Sequence, residues 1–513
     1  MMLLSVLSMI LAAGSCLLSG RKLWHIYQLE SYQLPGYFRS IQRSKGKLLI
    51  PMLCVGAVGV ILRFCRLPVF VCALVQTAVS AGWFMLLRKQ KEKKPFVFTE
   101  RMKRFLCIHT AILLAAAGIL GGFSERLLLC MPALEAIWLA VSAKAAEPVE
   151  KKIAGQFVRD AKDRLDSMPN LIKIGITGSY GKTSTKFLLR DILSVRWQVL
   201  ATPGSFNTTM GVTRVIREML TPSCEVFIAE MGARHVGDIR ELVDLVHPQI
   251  GMITSIGPQH LETFGSVERV ASTKNELIEG LPADGIAVFA KDGAHCEALY
   301  QKCTIRNKYM PGMLLDADDI EVGPWGTRFL LKDLVSGEQQ RCSTKLLGKH
   351  SIENLLLACT AAKALGMTLE EIAQGIARCK PVEHRLQLID TGYGITIIDD
   401  AFNSNPVGAK AAVDVLAAFP GRRIIVTPGM VELGQDEERY NEAFGQQIAS
   451  GADCAILVGE KHTQPIARGL REAGFDEASL FIVKNLEEAE QKLREILQSG
   501  DVVLYENDLP DNY

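Results

Sequence analysis

Apolar residues are concentrated at the start of the chain, in stretches that charged segments separate from one another. Each stretch approaches the roughly 17–25 residues that a helix needs to cross a bilayer. The stretches cover residues 2–19, 48–64, 68–87, 105–123 and 127–143. The pattern predicts a transmembrane region of about five spans, at residues 1–145.

The distribution of Lys and Arg predicts the orientation of these spans. Residues 21–47 carry six basic residues and residues 88–104 carry eight, whereas the alternate loops hold three in total. Basic loops of membrane proteins face the cytoplasm, so we expect the N-terminus outside and everything after the last span inside. The fifth segment contains Glu135. An interfacial fifth segment would reverse the orientation, whereas a true span would direct Glu135 at a partner helix or a polar substrate.

The pattern changes after the spans. Residues 146–170 are highly charged and predict a linker helix that ends in a Pro-Asn turn. Short apolar segments then alternate with helical patterns, at residues 225–232, 250–257 and 285–291. This alternation is typical of a doubly wound parallel sheet and predicts a central α/β domain at residues 171–380.

A second alternating set follows Pro381 and predicts a C-terminal α/β domain at residues 381–513. Its strand candidates are residues 395–400, 423–429, 454–459, 480–484 and 501–506. The predicted fold class is therefore a multi-span α-helical membrane region followed by α/β domains.

Net charge and cysteine spacing argue against two classes of protein. The net charge of +1 gives no sign of a nucleic-acid-binding protein. The 13 cysteines contain no Cys-x-x-Cys pair, so neither a zinc ribbon nor a disulfide framework is indicated.

The sequence GITGSYGKTST lies between a strand-like segment and an amphipathic helical pattern. Gly178 and Gly181 can adopt backbone angles that other residues avoid, so successive N–H groups can surround phosphate oxygens. Lys182 would then reach the terminal phosphates and Thr183 would ligate magnesium. The common P-loop has a glycine where this chain has Ile176, so the alternative is a simple strand-turn-helix corner with a surface lysine.

Several blocks together resemble the Mur ligases, a family that joins amino acids or peptides to cell-wall precursors at the expense of ATP. The shorter T-G-x-x-G-K-T loop of that family accounts for Ile176. The other blocks are AEMGARHVGDI (229–239), IGPQHLETFGSVERVASTKNEL (256–277), LLGKHSIENLLLACTAAKALG (346–366) and HRLQLID (384–390). The segments IIDDAFNSNP (397–406) and PGMVELG (428–434) resemble the D-alanyl-D-alanine-adding (MurF-like) branch.

The resemblance implies a P-loop Mur-ligase central domain followed by a Rossmann-like C-terminal domain. It also implies an ATP-dependent carboxylate–amine ligase of peptidoglycan synthesis that releases ADP and phosphate. In such a reaction the γ-phosphoryl group of ATP converts a carboxylate into an acyl phosphate, which the amine of an amino acid or dipeptide attacks. Both steps build charge on oxygens, so magnesium and a lysine are required.

Further residues acquire roles only through this resemblance. Glu230 matches a magnesium-associated acid and His260 matches a second metal ligand. Lys274 matches a lysine that CO2 carbamylates, which turns a cation into an oxygen ligand and needs a partly buried amine with a lowered pKa. The alternative for Lys274 is a solvated helix lysine. The implied catalytic residues are Lys182, His260, Lys274 and Arg385, and two magnesium ions would be held by Thr183, Glu230, His260 and the carbamylated Lys274.

Nucleotide and substrate contacts are implied in the same way. Asn354 matches an adenine-contacting asparagine, Arg385 matches an arginine that reaches the γ-phosphate, and Asp399 or Asp400 matches the carboxylate near the ribose. The implied nucleotide contacts are Gly178, Ser179, Tyr180, Gly181, Lys182, Thr183, Ser184, Asn354, Arg385, Asp399 and Asp400. The implied substrate contacts are Asn207, Thr208, Asn403 and Asn405.

Two features depart from the family. Soluble Mur ligases carry an N-terminal α/β domain that holds the UDP of the substrate, whereas residues 1–145 here are predicted spans. The MurF-like pattern has Lys-Gly-Ser-Arg after the last strand, whereas this chain reads VLYENDLPDNY. We therefore expect a multi-pass protein of the plasma membrane with cytoplasmic ligase domains, acting on a small-molecule (UDP-linked) or lipid-linked cell-wall precursor. The alternatives are a membrane-attached poly-γ-glutamate synthase-like ligase and an ATPase domain that drives a transporter.

Overall fold

The computed structural model describes residues 2–44, 46–88, 95–259, 261–291, 293–323, 325–401, 405–431, 433 and 436–508. The chain forms two compact units, Met1–Gln156 and Phe157–Tyr513. Their boundary falls inside the predicted linker, and the domain limits given above stay predictions.

The first unit is helical. Its helices are α1 (Met2–Ser19), α2 (Arg21–Leu29), α3 (Leu34–Arg43), α4 (Ile50–Arg63), α5 (Val69–Arg88), α6 (Glu100–Phe123) and the start of α7 (Glu135–Asp166), with 3-10 helices at Lys47–Leu49 and Glu125–Leu134. Within the described residues, four helical segments are long and apolar enough to cross a membrane, namely Met2–Ser19, Val69–Leu87, Glu100–Phe123 and Glu125–Asp166.

The predicted span at residues 48–64 takes a different form. Helix α4 has 14 residues, and at 1.5 Å per residue it rises only about 21 Å, less than the hydrocarbon core of about 30 Å. Leu34–Arg43 and Lys47–Arg63 form two helical segments bent by 101°. Gly46 lies at the bend with φ of 78°, a conformation that favours glycine. The unit therefore has four candidate spans, or five if the bent pair is one broken span.

Polar side chains meet inside the first unit. His109 lies between two partners, with Nε2 2.9 Å from Glu135 Oε1 and Nδ1 2.8 Å from Ser142 Oγ. The side chains of His109 and Glu135 are fully buried. Glu135 thus contacts a neighbouring helix, α6. The sequence left open whether it would face a partner helix or a polar substrate.

A six-stranded parallel sheet forms the centre of the second unit and confirms the predicted α/β arrangement. Its strands have the order β2-β3-β1-β4-β5-β6. They are β1 (Ile172–Thr177), β2 (Val199–Ala201), β3 (Val226–Glu230), β4 (Ile250–Ile253), β5 (Ile286–Phe289) and β6 (Asn307–Tyr309). Strand β1 lies between β3 and β4, so the chain turns to opposite sides of the sheet beyond it. Ligands of open α/β sheets bind at such a switch point, outside the carboxyl ends of the strands.

Helices cover this sheet, and a small antiparallel sheet that the sequence did not predict follows it. The helices are α8 (Lys182–Leu193), α9 (Thr209–Met219), α10 (Asp238–Val246), α11 (Leu261–Phe264), α12 (Val267–Glu279), α13 (Gly293–Lys302), α14 (Lys349–Ala364) and α15 (Leu369–Arg378). The small sheet comprises β7 (Leu315–Gly323), β8 (Gly326–Asp333) and β9 (Gln339–Thr344).

The remaining residues build a second six-stranded sheet of order β10-β11-β15-β12-β13-β14. The strands are β10 (Gln387–Asp390), β11 (Thr396–Asp400), β12 (Arg423–Thr427), β13 (Cys454–Val458), β14 (Leu480–Val483) and β15 (Val502–Glu506). Its helices are α16 (Pro406–Ala417), α17 (Glu437–Gly451), α18 (Gln464–Glu472) and α19 (Leu486–Ile496). All five strands predicted here are present, and only the added edge strand β10 runs antiparallel.

Candidate active site

The loop between β1 and α8 has the backbone that a phosphate site needs. Gly181 has φ of 78°, and a Cβ atom there would lie 2.5 Å from Asn354 Oδ1. Gly178 has φ of 155°, and a Cβ atom there would collide with Thr254 Oγ1. Both positions therefore exclude side chains. Helix α8 starts directly after Gly181 without a capping side chain among the described residues, so its first N–H groups can bind an anion.

The opposite side of this loop is fixed to the segment that follows β4. The Ser179 N–H donates to the Ser255 carbonyl at 2.7 Å, and its hydroxyl bonds the Gly257 carbonyl at 3.1 Å. The Tyr180 hydroxyl donates to the Pro258 carbonyl at 2.6 Å. These contacts hold the loop in place, and both the N–H and the hydroxyl of Ser179 are used in them, so Ser179 anchors the loop rather than offering a free donor to the nucleotide.

Two lysines from distant parts of the chain converge on this loop. Lys182 Nζ donates to the Gly178 carbonyl at 2.7 Å, and Lys274 Nζ, from α12, donates to the same carbonyl at 2.8 Å. Burial lowers the pKa of Lys182 to about 8. Burial, and secondly the positive charge of Lys182, hold the pKa of Lys274 well below its ordinary value. Lys274 is only 2% exposed, so the alternative of a solvated helix lysine is wrong.

Glu230 lies beside the loop because β3 pairs with β1 in a register that places Glu230 opposite Ile176. Thr183 Oγ1 donates to its carboxylate, at 3.1 Å from Oε1 and 3.0 Å from Oε2. Hydroxyl and carboxylate oxygens are the ligands that Mg²⁺ prefers, and it takes few of them from protein. The donor set therefore fits a magnesium–phosphate site. Among the described residues no group of three or more His, Cys, Asp and Glu side chains could hold a metal alone.

Sequence reasoning missed Lys186, which also binds Glu230. Its Nζ lies 2.9 Å from Glu230 Oε2, and its side chain is fully buried. A lysine on an amphipathic helix ordinarily faces solvent, so the local pattern gave no signal for this contact.

The smaller of two adjoining cavities, about 270 Å³, is lined by Asn354, Arg385 and Asp400. Asn354 accepts a hydrogen bond from Thr185 Oγ1 at 3.2 Å. The sequence left open whether Asp399 or Asp400 contacts the nucleotide, and the structure places these two side chains differently. Asp400 lines this cavity, and burial raises its pKa to about 6. Asp399 instead lies 2.8 Å from His384 Nδ1.

Arg385 lies between two residues with left-handed backbone angles, His384 with φ of 59° and Leu386 with φ of 44°. Such angles in residues other than glycine are sparsely populated and persist only where surrounding structure imposes them. Arg385 lines both cavities. His350 lines the smaller one, and burial, followed by the charge of Arg385, lowers its pKa to about 4. His350 therefore presents a neutral imidazole to this cavity at neutral pH.

The larger cavity, about 590 Å³, lies on the other side of the loop. Its lining includes Lys182, Thr183, Glu230, Ser205, Asn207, Thr208, Arg234, His235, Arg385, Asn405 and Asn507. Asp238 lines it as well, so Lys182, Arg234 and Arg385 face two carboxylates, and this excess of positive charge suits an anionic ligand.

Three of the predicted substrate contacts line this cavity but already have structural partners. Asn207 Nδ2 donates to Glu230 Oε1 at 3.1 Å. Thr208 caps α9 by accepting from the Gly211 N–H at 3.3 Å. Asn405 caps α16 through the N–H groups of residues 407 and 408. The two remaining predicted residues, His260 and Asn403, lie outside the described residues.

The last residue of β15, Glu506, and the next residue, Asn507, have contacts that the family pattern did not anticipate. Glu506 accepts a hydrogen bond from Thr427 Oγ1 at 2.6 Å and is buried. Asn507 Nδ2 donates to the Gly429 carbonyl at 2.6 Å. Glu506 and Asn507 are therefore ordered parts of the C-terminal domain, and Asn507 contributes a neutral amide to the larger cavity.

Comparisons with known proteins agree with this geometry. Residues 176–362 match the family described as Mur ligase middle domain, and residues 384–505 match the family described as Mur ligase, glutamate ligase domain. The UDP-N-acetylmuramoyl-tripeptide–D-alanyl-D-alanine ligase of Escherichia coli is 33% identical over 336 residues, which are 64% of this chain and 73% of that protein. The Bacillus subtilis enzyme of the same name is 31% identical, over 65% of this chain and 72% of that protein.

Solved structures show the same fold. MurF from Acinetobacter baumannii superimposes with a TM-score of 0.62 and 25% identity, over 69% of this chain and 77% of that chain. MurF from Thermotoga maritima in complex with ADP gives a TM-score of 0.61 and 24% identity, over 69% of this chain and 80% of that chain.

Proposed function

This chain belongs to the Mur ligase family, and we propose that it is an ATP-dependent ligase that joins an amine to a carboxylate in peptidoglycan precursor synthesis. Its relatives named above are UDP-N-acetylmuramoyl-tripeptide–D-alanyl-D-alanine ligases, and we assign the dipeptide D-alanyl-D-alanine as the amine donor here. The observation that carries the proposal is the convergence of Lys182, Lys274 and the Thr183–Glu230 pair on one glycine loop.

The smaller cavity is the nucleotide site in this proposal. Asn354 has an amide that can both donate to and accept from an adenine ring. The backbone N–H groups at the start of α8 and the amine of Lys182 bind the phosphates. Arg385 lines both cavities and so connects the nucleotide site to the site of the second substrate. Asp400 lies within the same cavity, where it suits the ribose end of the nucleotide.

The acceptor carboxylate and the amine meet in the larger cavity. Oxygen atoms there gain negative charge when the carboxylate is phosphorylated and again when the amine attacks. Lys182 and Arg385 line this cavity and stabilise that charge. Thr183 and Glu230 hold magnesium, which when bound adds positive charge at the phosphate oxygens.

Lys274 is the residue that could provide a ligand for a second magnesium ion. Because its pKa is lowered, a fraction of the amine is neutral and can add to CO2. The ammonium group first loses one proton to water; the neutral amine then forms the Nζ–carbon bond to CO2 and loses a second proton, which gives a carbamate anion. That anion would lie beside Lys182, since both amines bond the Gly178 carbonyl, and would supply an oxygen ligand for a second magnesium ion.

We also propose that the first unit attaches the enzyme to the plasma membrane, with the ligase domains in the cytoplasm. The five-span count, in which the bent pair is one broken span, supports this assignment, because an odd number of spans leads from an outside N-terminus to the cytoplasm. The two basic loops then lie on the cytoplasmic side as well. Attachment makes a lipid-linked wall peptide an effective acceptor, because enzyme and substrate then share one surface and the effective concentration rises. A reporter fused after residue 145 should be cytoplasmic; a periplasmic reporter would contradict the orientation.

Product analysis of the full-length protein tests the reaction. The protein in detergent or nanodiscs receives ATP, magnesium, D-alanyl-D-alanine and a UDP-linked muramoyl tripeptide. We expect phosphate release and a product extended by the dipeptide, both requiring acceptor and amine together. Phosphate release in the absence of acceptor and amine would instead favour an ATPase. Repeated glutamate addition, when glutamate replaces the dipeptide, would favour a poly-γ-glutamate synthase; the relatives favour neither.

A competition between acceptors tests the membrane proposal separately. The same tripeptide is offered linked to UDP and linked to a polyprenyl lipid in nanodiscs that contain the enzyme. We expect a higher kcat/KM for the lipid-linked form. Efficient turnover of the UDP-linked form alone would leave the ligase assignment intact and overturn the lipid-linked acceptor.

A further inference from the structure

Lys186 is a buried cation that touches neither cavity. It lies on α8, one turn beyond Lys182, and its side chain is completely inaccessible to solvent. Its Nζ donates to Glu230 Oε2 at 2.9 Å and to the Gly204 carbonyl at 2.5 Å. A buried ammonium group is costly unless it is paired and hydrogen-bonded, so these contacts account for its presence.

The two partners of Lys186 belong to different parts of the site. Glu230 ends β3 and faces Thr183 at the start of α8. Gly204 lies in the segment of residues 202–208, which we name the 202–208 loop and which contributes Ser205, Asn207 and Thr208 to the larger cavity. Lys186 therefore connects the carboxylate of the metal site to the wall of the second-substrate cavity.

Other contacts of Glu230 reinforce this connection. Its N–H donates to Thr202 Oγ1 at 3.1 Å, and Asn207 Nδ2 donates to Oε1 at 3.1 Å. Both ends of the 202–208 loop thus bond Glu230, and Lys186 holds the middle of the loop through Gly204. Without Lys186, the described contacts leave the Gly204 carbonyl without a donor and remove the ion pair that holds Glu230 Oε2, so the carboxylate keeps only the hydroxyl of Thr183 and the amide of Asn207 as hydrogen-bond donors.

We propose that Lys186 is a positioning residue, which holds the Glu230 carboxylate toward the magnesium–nucleotide site and the 202–208 loop against the second-substrate cavity. The inference rests on the proposed function in one respect, that Glu230 holds magnesium. Beyond that function, the inference assigns the alignment of the nucleotide and of the second substrate to one buried side chain, that of Lys186.

The test compares K186M with R190M in the full-length protein. Arg190 lies on the same helix but outside both cavities, in a partly exposed pair with Asp191, so R190M controls for the loss of one cation from α8. Calorimetry gives the Kd of ADP with magnesium and with EDTA. Loss of a charge-assisted hydrogen bond predicts that K186M weakens magnesium–ADP binding about tenfold or more, while binding of ADP in EDTA changes less than about twofold.

Hydrogen–deuterium exchange gives the second readout. Peptides that cover the 202–208 loop should exchange faster in K186M, by about tenfold, because the Gly204 anchor is lost. Peptides that cover α10 (Asp238–Val246) should be unchanged, and R190M should match the wild type in both measurements. Equal weakening of ADP binding with magnesium and with EDTA, or unchanged exchange in the 202–208 loop, would overturn the inference.

A double variant covers the case in which K186M does not fold. K186M/E230Q removes both buried charges and leaves none unpaired, yet the Gly204 carbonyl still lacks its donor. The 202–208 loop should still exchange faster than in E230Q alone, and equal exchange would overturn the inference. If wild-type protein binds ADP equally well with magnesium and with EDTA, the metal part of the proposed function fails, and the exchange measurement alone decides the role of Lys186.

Discussion

The amines of Lys182 and Lys274, 92 positions apart in the sequence, donate hydrogen bonds to one backbone carbonyl, that of Gly178, at 2.7 and 2.8 Å. Two buried ammonium groups at one acceptor repel each other, and burial disfavours the charged form of each. The arrangement is therefore unfavourable while both are charged and becomes favourable when anionic phosphate arrives or when one amine becomes a carbamate. Both outcomes suit a ligase that gathers anions at this loop.

Replacement of Lys182 by methionine should abolish most of the activity. The side chain lines the larger cavity, and in the proposed mechanism it stabilises charge on the transferred phosphoryl group. Removal of one such preorganised donor costs about 100- to 1000-fold in kcat. Phosphate release under saturating substrates measures the loss, and R190M provides the control because Arg190 lies outside both cavities. Undiminished peptide-bond synthesis in K182M would remove the basis of the proposed mechanism.

Lys274 should make the stability of the substrate-free protein depend on pH. Its folded-state pKa lies below the ordinary value, so at intermediate pH the unfolded chain binds more protons than the folded chain. The free energy of unfolding therefore rises with pH in that window, which ends near the ordinary lysine pKa of about 10.4. In CO2-free buffer the Tm of wild type should rise from pH 7 to pH 10 more steeply than that of K274M.

Carbamylation of the same residue has its own spectroscopic test. Wild-type protein equilibrated with ¹³C-labelled bicarbonate should show a carbamate carbon resonance that K274M lacks. A spectrum of wild type without that resonance, recorded with nucleotide and magnesium present, would contradict the carbamate and leave Lys274 as a buried cation.

Asp400 should combine a cost in stability with a gain in activity. Burial raises its pKa to about 6, so between its ordinary pKa and that value the folded chain binds more protons than the unfolded chain. The Asp400 contribution to the free energy of unfolding therefore falls as pH rises through this window. At pH 7.5, D400N should have a Tm equal to or above that of wild type, because asparagine removes a buried charge and can still accept from the Leu386 N–H. Its phosphate release should fall about tenfold or more, since the carboxylate faces the nucleotide cavity. A lower Tm with normal activity would contradict this assignment.

The His109–Glu135 pair should stabilise the helical unit. Both side chains are buried and 2.9 Å apart. A double-mutant cycle of H109A and E135A, followed by unfolding in detergent, should give a coupling of about 0.5–3 kcal/mol. The exposed pair Lys144–Glu147 on α7 is the matched control, with a smaller expected coupling because solvent screens exposed ion pairs. Equal coupling energies for the two pairs would contradict the structural role of His109.

Local patterns predicted most of the second unit well. Each of the five strands predicted after Pro381 exists, because a buried parallel strand has a continuous apolar run that marks it without knowledge of its neighbours. The span at residues 48–64 was less predictable. Its hydropathy is high enough for a membrane segment, but Gly46 lies at a bend of 101° between α3 and the helical segment that follows. Such a bend depends on packing between helices, which a hydropathy profile does not contain.

The sequence by itself determined the glycine loop with its lysine and threonine, the alternation of strands and helices, and the apolar helices near the start of the chain. All of these depend on residues close together in the sequence. Tertiary structure decided which polar groups share one buried space: that Asp400 rather than Asp399 lines the smaller cavity, that Lys274 joins Lys182, and that Lys186 binds Glu230. The charge state and burial of a side chain depend on what surrounds it, and those surroundings come from segments far apart in the chain.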